Sequence, residues 1–162
     1  MNPTVQRFAP FLLDGANAKA MRTEFMPILT GTDLARTQQI EEIVANYKKV
    51  HGIYFWVMRH DDAEYKIYIG QTNSLSYRLL NYVSEFQPHS PNDYKLRIFH
   101  AFLGEIVPDA TLDLYFSKEE LVNLREAEKA AILKYDPLLN KLPPPTVAAK
   151  EELKKAFSSY YR

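Results

Sequence analysis

Hydrophobic and aromatic residues form two neighbouring runs in the middle of the chain, at 52–58 and 65–70, with the polar segment 60–64 between them. Aromatic and β-branched residues favour strands, and two such runs joined by a short polar segment predict an antiparallel hairpin. Alternate residues of a strand share one face of the sheet. If the loop has an odd number of residues, we expect Tyr54 and Tyr68 to stand opposite each other with their hydroxyls close together.

The rest of the chain predicts further helices and one more strand. Residues 1–31 show no clear period and are expected to form a loosely structured arm. Ser117 to Glu120 is a capping-box pattern, which predicts the start of a long helix. Apolar spacing and caps place helices at about 33–47, 75–86, 93–105, 117–135 and 147–158, and alternation places a third strand at 110–116.

The predicted fold is therefore a small α+β domain, in which a three-stranded antiparallel sheet is flanked by helices. Its expected bounds are residues 51–141. An N-terminal helical arm at 1–50 precedes it, and a proline break followed by a C-terminal helix makes up 142–162.

The composition excludes several kinds of chemistry and location. The chain of 162 residues contains no cysteine, so disulfides, thiolate metal sites and a thiol nucleophile are excluded, and a reducing cytoplasm is the expected location. No run approaches the roughly 18 apolar residues of a membrane span, and the apolar stretch at 8–13 is too short for a signal peptide. Twenty basic residues balance twenty acidic ones. This neutrality argues against strong nonspecific DNA affinity but allows a local basic groove.

One carboxylate stands on the apolar stripe of the long predicted helix. Glu128 lies four residues after Leu124 and four before Ile132, whereas Glu126 points elsewhere. A buried, unpaired carboxylate costs several kcal/mol, so such a group is normally paired, metal-bound or placed in a cleft. The alternative is that Glu128 reaches water at the edge of the stripe or pairs with a lysine. The expected stripe consists of Leu121, Leu124, Ala127, Ala131, Ile132 and Tyr135.

The helix expected after the hairpin carries a second candidate group. Arg78 and Tyr82 are four residues apart and so share one helix face. A guanidinium near the hairpin suits a bidentate contact with a phosphate. The alternative is an ordinary surface arginine.

Taken together, these positions resemble the GIY-YIG nuclease superfamily over about residues 51–141. The resemblance is carried by Gly52-Ile53-Tyr54, Tyr68-Ile69-Gly70, Arg78 eight residues later, Glu128, and Asn140 twelve residues after Glu128 and shortly after Pro137. Two departures concern the hairpin and the residue after it. Thirteen residues separate Tyr54 from Tyr68, which is longer than is usual in the family, and Gln71 stands where some relatives have lysine.

The resemblance implies a role for each of these residues. Tyr54 is expected to be the general base or to orient the attacking water, and Tyr68 to hydrogen-bond the scissile phosphate or that water. Arg78 is expected to neutralise charge on the phosphate. Glu128 is expected to hold one divalent ion, Mg²⁺ or Mn²⁺, and Asn140 to brace the site.

The chemistry of the residue types agrees with these implied roles. Mg²⁺ often takes only one or two protein carboxylates, so one glutamate suffices. A free phenol, with a pKa near 10, is a weak base at neutral pH, and positive charge beside it favours the phenolate. Tyr82 matches a position that family members fill with tyrosine or histidine. His60-Asp61-Asp62 is interpreted as a polar turn rather than a metal site, because turns favour Asp.

The predicted function is a metal-dependent endonuclease that hydrolyses DNA phosphodiester bonds and leaves 5′-phosphate and 3′-hydroxyl ends. The short attachments favour a compact restriction-type or stand-alone phage or bacterial nuclease over a large repair subunit. Sequence recognition is expected from the arms, the loop at 87–92 or a homodimer. The alternatives are a catalytically silent nucleic-acid-binding module that keeps the fold, and a protein-interaction domain whose aromatic residues fill a core.

Overall fold

The computed structural model describes residues 3–32, 38–83 and 91–141, except the side chains of 32, 81–83 and 91–94. The predicted helix at 147–158 and the loop residues 87–90 lie outside this range. Three short 3-10 turns, at Ala9–Phe11, Leu121–Asn123 and Leu139–Lys141, connect the larger elements. In chain order these are α1 Pro3–Gln6, α2 Gly15–Glu24, β1 Met26–Thr32, α3 Gln38–Asn46, β2 Gly52–His60, β3 Ala63–Thr72, α4 Leu75–Val83, α5 Pro91–Ile106, β4 Thr111–Lys118 and α6 Leu124–Tyr135.

The sheet has four strands rather than the three expected, in the order β1-β4-β2-β3 with every neighbouring pair antiparallel. The additional strand is β1, which pairs with β4 from the part of the chain expected to be a loose arm. Proline and glycine within Met26–Thr32 conceal its strand character. An edge strand tolerates a proline, and register shifts interrupt the β1–β4 ladder on both sides of Leu29. The division of the chain at residues 50 and 141 stays a prediction.

The β2–β3 hairpin is confirmed, but its register differs from the expected one. Its turn contains only two residues, Asp61 and Asp62, both with positive φ (48° and 66°). Such turns match the twist of an antiparallel pair. The ladder then shifts between Trp56 and Val57, so that Trp56 pairs with Tyr68. Tyr54 stands opposite Gly70 rather than opposite Tyr68.

Each face of the sheet carries its own apolar core. On one face the β2 residues Tyr54, Trp56 and Met58 pack with residues of α3, α4 and α5. On the other face lie Ile53, Phe55, Val57 and Ile69, together with residues of α2 and α6. Within the described residues, no helix is both long and apolar enough to cross a membrane.

The predicted helix at 117–135 begins later than its capping-box pattern suggests. Ser117 and Lys118 belong to β4, where they pair with Ile53 and Gly52. After a 3-10 turn, α6 starts at Leu124. Leu121, assigned to the inward stripe, has 57% of its surface exposed and is therefore outside the core. The remaining stripe residues, Leu124, Ala127, Ala131, Ile132 and Tyr135, do pack on the sheet.

Candidate active site

A β-bulge brings the two tyrosines of the hairpin to one face of the sheet. Val57 pairs with Lys66 and Trp56 with Tyr68, so Ile67 is the extra residue on β3. If Ile67 paired with Trp56 in a regular ladder, Tyr68 would pair with Phe55 and point to the face opposite Tyr54. With the bulge, Tyr54 and Tyr68 are diagonal neighbours whose ring centroids lie 6.1 Å apart with an interplanar angle of 59°. Both side chains are buried.

Glycine at position 70 makes room for the ring of Tyr54. A Cβ atom added to Gly70 would lie 2.2 Å from the Tyr54 hydroxyl oxygen and 2.3 Å from its Cζ. The phenol therefore lies directly over the backbone of Gly70. Gly52 is needed for a different close approach, because its Cβ would lie 2.1 Å from the carbonyl oxygen of Ser117 on β4. At both positions a side chain larger than hydrogen would therefore clash with a neighbouring strand.

Glu128 reaches the same strand end from the other side of the sheet. Its half-buried carboxylate on α6 accepts a hydrogen bond from the backbone N–H of Gln71, the residue after Gly70. Burial raises the pKa of Glu128 above its ordinary value of 4.5, while the Gln71 N–H and the positive charge of Arg78 act in the opposite direction. Glu128 therefore lies at the Gly70–Gln71 end of β3 and within the field of Arg78, and does not simply point into solvent.

Arg78 is positioned by the start of α4. The Ser74 hydroxyl accepts a hydrogen bond from the N–H of Tyr77 at 3.3 Å, and the Ser74 carbonyl accepts the N–H of Arg78 at 3.0 Å. This is an N-cap, in which a side-chain oxygen accepts a free N–H at the start of the helix. The half-buried Arg78 side chain lines a narrow crevice together with Tyr54 and Trp56. The guanidinium, the carboxylate of Glu128 and the phenol of Tyr54 thus belong to one neighbourhood.

Asn140 braces the edge of β3. Its Oδ1 accepts the N–H of Ile69 at 2.9 Å, and its Nδ2 donates to the carbonyl oxygen of Ile69 at 2.8 Å. Leu138 adds a third contact, from its N–H to the carbonyl oxygen of Lys66 at 3.1 Å. We call residues 136–141 the bracing segment. It gives the exposed backbone of an edge strand the partners that a fifth strand would otherwise supply.

The bracing segment has a contact that the sequence analysis missed. Lys95 on α5, which is buried, donates a hydrogen bond from its Nζ to the carbonyl oxygen of Leu139 at 3.1 Å. No spacing or motif marks this lysine, because its partner is a backbone atom far away in the chain. A charged residue on the apolar face of the helix was the one available signal.

Tyr82 lies on α4, but its side chain is outside the described part of the structure. Its place relative to the other site residues stays a prediction. The structure therefore brings together five of the six predicted positions at one end of β3: Tyr54, Tyr68, Arg78, Glu128 and Asn140.

A separate acidic cluster lies at the opposite end of the hairpin. The Nε2 of buried His60 is 2.9 Å from the Oδ2 of Asp109, and its Nδ1 is 3.6 Å from Asp61. One ligand atom from each of these residues falls within 4.8 Å of the others, so the group has the size of a cation site. His60 is six residues from Tyr54 on β2, or roughly 20 Å along a strand. The cluster therefore does not belong to the tyrosine site.

A cavity of about 500 Å³ lies on the face of the sheet opposite the two tyrosines. It lies on the α2–α6 side of the sheet, with Glu24, Phe25 and Lys134 among its lining residues. The carboxylate of Glu24 already accepts hydrogen bonds from Lys134 and from the Tyr135 hydroxyl. None of the six predicted site residues lines this cavity.

The donor set at Glu128 suits one hard divalent cation. A carboxylate has about four lone-pair positions, so the single N–H of Gln71 leaves oxygen lone pairs for an ion. Mg²⁺ retains several water ligands and needs few protein groups. The partial exposure of Glu128 allows those waters and a substrate oxygen to reach it. These residues therefore fit a site with one protein carboxylate.

No protein-family model matches the chain, and no curated protein matches it. Among solved structures, the chain is similar to the GIY-YIG N-terminal endonuclease domain of UvrC from Thermotoga maritima, a point mutant bound to its catalytic divalent cation. The similarity has 19% identity and a TM-score of 0.39 and covers 64% of this chain and 97% of that domain.

Proposed function

We propose that this protein is a metal-dependent endonuclease that hydrolyses DNA phosphodiester bonds. One observation carries the proposal. The carboxylate of Glu128 is bound to the N–H of Gln71, and the phenol of Tyr54 lies over the adjoining residue, Gly70. An acid from α6 and a phenol from β2 thus lie beside two consecutive backbone residues of β3. Arg78 is close enough to influence the acid.

The residues divide the work of phosphodiester hydrolysis, which needs an activated water and stabilisation of negative charge. Tyr54 orients the attacking water or accepts its proton. Tyr68, on the same face, hydrogen-bonds the scissile phosphate or that water. Arg78 neutralises charge on the phosphate through its planar pair of donors. Asn140 acts indirectly, by fixing the backbone of Ile69 between Tyr68 and Gly70.

Glu128 is the proposed ligand of the cation, Mg²⁺ or Mn²⁺. When bound, such an ion would neutralise charge on a phosphate oxygen and polarise the attacking water. Because burial raises the pKa of Glu128, binding of a cation is expected to release a proton where that group is still protonated. Proton release on metal addition is therefore a property of the site that can be measured without any substrate.

The decisive experiment compares two glutamates of the same helix. Glu126 is exposed and lies outside the proposed site, whereas Glu128 is half-buried and belongs to it. Glu126→Gln and Glu128→Gln therefore remove the same charge from the same helix, but only the second affects the site. Purified proteins are incubated with plasmid, flap and single-stranded DNA in Mg²⁺, in Mn²⁺ and in EDTA. We expect the wild type and Glu126→Gln to cut only with metal, and Glu128→Gln to cut at least about 100-fold more slowly. Ligation of the product ends tests for 5′-phosphate and 3′-hydroxyl groups.

A protein that cuts none of these substrates contradicts the proposal. One observation then favours the second candidate, a catalytically silent nucleic-acid-binding module: the burial of Tyr54 and Tyr68. That module is expected to bind DNA equally well with and without metal. Its binding should also be unchanged by Glu128→Gln. Sedimentation of the free and DNA-bound protein tests the proposed homodimer.

A further inference from the structure

Lys95 is a buried cation for which the proposed chemistry has no direct use. Only 3% of its surface is exposed. Desolvation by burial lowers the pKa of its ammonium group. A buried charge is unfavourable unless it is compensated, and an apolar side chain of similar length would fill the same space without that penalty. Packing alone therefore does not explain a lysine at this position.

One contact of Lys95 supplies an explanation. Its Nζ donates to the carbonyl oxygen of Leu139 at 3.1 Å. That carbonyl belongs to the first residue of the short 3-10 turn Leu139–Lys141, and a carbonyl oxygen has two lone pairs with which to accept hydrogen bonds. A hydrogen bond from a charged donor is roughly twice as strong as one between neutral groups. Lys95 thus ties α5 to the bracing segment at the residue that precedes Asn140.

The consequences of this contact extend to the proposed site. The peptide unit held by Lys95 joins Leu139 to Asn140, and the Asn140 side chain makes two hydrogen bonds to Ile69. A side-chain amide keeps two bonds to one backbone residue only if its own Cα is correctly placed. A shift of the turn therefore weakens both bonds at once. Ile69 lies between Tyr68, the second tyrosine of the site, and Gly70, over which the ring of Tyr54 lies.

We propose that Lys95 is a positioning residue for the active site, which holds Asn140 against the β3 edge through the carbonyl of Leu139. This inference rests on the proposed nuclease function for its effect on rate. Its structural half, the placement of Asn140 on Ile69, does not depend on any activity. The two halves can therefore be tested separately.

Amide hydrogen exchange tests the structural half. In Lys95→Met, the amide of Ile69 is expected to exchange at least about tenfold faster than in the wild type, while amides of the central strand β2 keep their rates. Lys66→Met is the matched control. Lys66 is also a buried lysine, and its hydrogen bond to the bracing segment is made by its backbone carbonyl, which survives the substitution. If Lys95→Met does not fold, Lys95→Gln, which keeps a neutral donor, takes its place.

Steady-state cleavage tests the functional half. Lys95→Met is expected to lower kcat about tenfold with KM changed by less than about twofold, because it misplaces catalytic groups without touching DNA. In an Asn140→Ala background the same substitution is expected to have no further effect on kcat, since Lys95 acts through Asn140. If Lys95 were purely structural, Lys95→Met would lower the melting temperature. It would then show neither the selective loss of kcat nor the dependence on Asn140.

The outcomes separate the two proposals. Selective loss of Ile69 protection, with a lower kcat that is not additive with Asn140→Ala, supports the role of Lys95. Unchanged Ile69 exchange, equal acceleration of all amides, or an unchanged kcat in an active enzyme overturns it. If the wild type cuts no DNA, the proposed function fails, and the exchange comparison alone decides whether Lys95 places Asn140.

Discussion

Replacing Gly70 with alanine tests the arrangement of the site most directly. The added Cβ would lie 2.2 Å from the hydroxyl oxygen of Tyr54, whereas ordinary contact begins at 3.4 Å. The hydroxyl therefore has to move by roughly 1 Å, or the β2–β3 ladder has to open. Tyr54 is buried and packed against the same core as Trp56, so the ring has little free space in which to turn.

Two magnitudes follow from this displacement. Overpacking of a well-filled core costs about 1–3 kcal/mol of unfolding free energy. A misplacement of about 1 Å in a catalytic group lowers the rate by about 100-fold. We therefore expect Gly70→Ala to remain folded, with a modestly lower melting temperature, and to lose about two orders of magnitude in single-turnover cleavage.

Gly104→Ala is the matched control. Gly104 lies in α5, and a Cβ added there meets nothing within 4 Å. Alanine in a helix is favoured over glycine by about 0.5–1 kcal/mol, so this variant should be slightly more stable and fully active. Urea unfolding gives the stability of both variants, and cleavage is measured well below their melting temperatures. Cleavage by Gly70→Ala at the wild-type rate would refute the placement of Tyr54 as a requirement for activity.

Three further predictions concern the acid, the brace and the bulge. Because the folded-state pKa of Glu128 is raised, its contribution to the unfolding free energy is present at pH values below the unfolded pKa and is lost as pH rises through the folded pKa. In Glu128→Gln the unfolding free energy, measured with urea, should depend less on pH over that window. Equal pH slopes for the variant and the wild type would contradict this. Asn140→Asp keeps an acceptor for the Ile69 N–H but sets a carboxylate against its carbonyl, so we expect a loss of about 1–3 kcal/mol in urea unfolding. An unchanged midpoint would argue against the brace. Deleting Ile67 removes the extra residue, and Tyr68 then still pairs with Trp56 on the face of Tyr54, so cleavage should be kept; cleavage as low as in Glu128→Gln would contradict this account of the bulge.

Strong local patterns predicted much of the fold correctly. The hairpin, β4, α4 and α5 follow apolar runs or helical stripes of sufficient length, and their positions agree with the structure to within a few residues. β1 was missed because its proline and glycine contradict the usual composition of a strand, and only its pairing with β4 makes it one. The start of α6 was placed too early for a similar reason. The capping-box pattern at Ser117 competes with a ladder that continues to Lys118, and the tertiary pairing prevails.

The candidate site was predictable in its residues but not in its contacts. Spacing alone identified Glu128 as an anomalous acid on an apolar stripe, and the structure shows it half-buried and hydrogen-bonded. Its partner is a backbone N–H, as is one of the two partners of Asn140. Backbone groups are the same at every non-proline residue, so sequence carries no sign of which one is used. The same holds for the carbonyl that Lys95 binds.

The spacing of the two triplets acquires a geometric meaning from the bulge. A hairpin with a two-residue turn places an even number of residues between same-face partners, whereas thirteen residues separate Tyr54 from Tyr68. An odd interval would leave the tyrosines on opposite faces. One extra residue at Ile67 corrects the parity without opening the tight turn. Bulges of this kind commonly re-aim side chains next to active sites.

Four consecutive residues of β3 each hold a different part of the proposed site. Tyr68 supplies a phenol, the backbone of Ile69 binds Asn140, Gly70 carries the ring of Tyr54, and the N–H of Gln71 binds Glu128. The Ile69 side chain is buried on the opposite face with the residues of α6. The triplet is therefore a scaffold as well as a source of one phenol. A change at any of its three positions is expected to disturb groups contributed by other elements, whereas a change at an exposed position such as Glu126 is not.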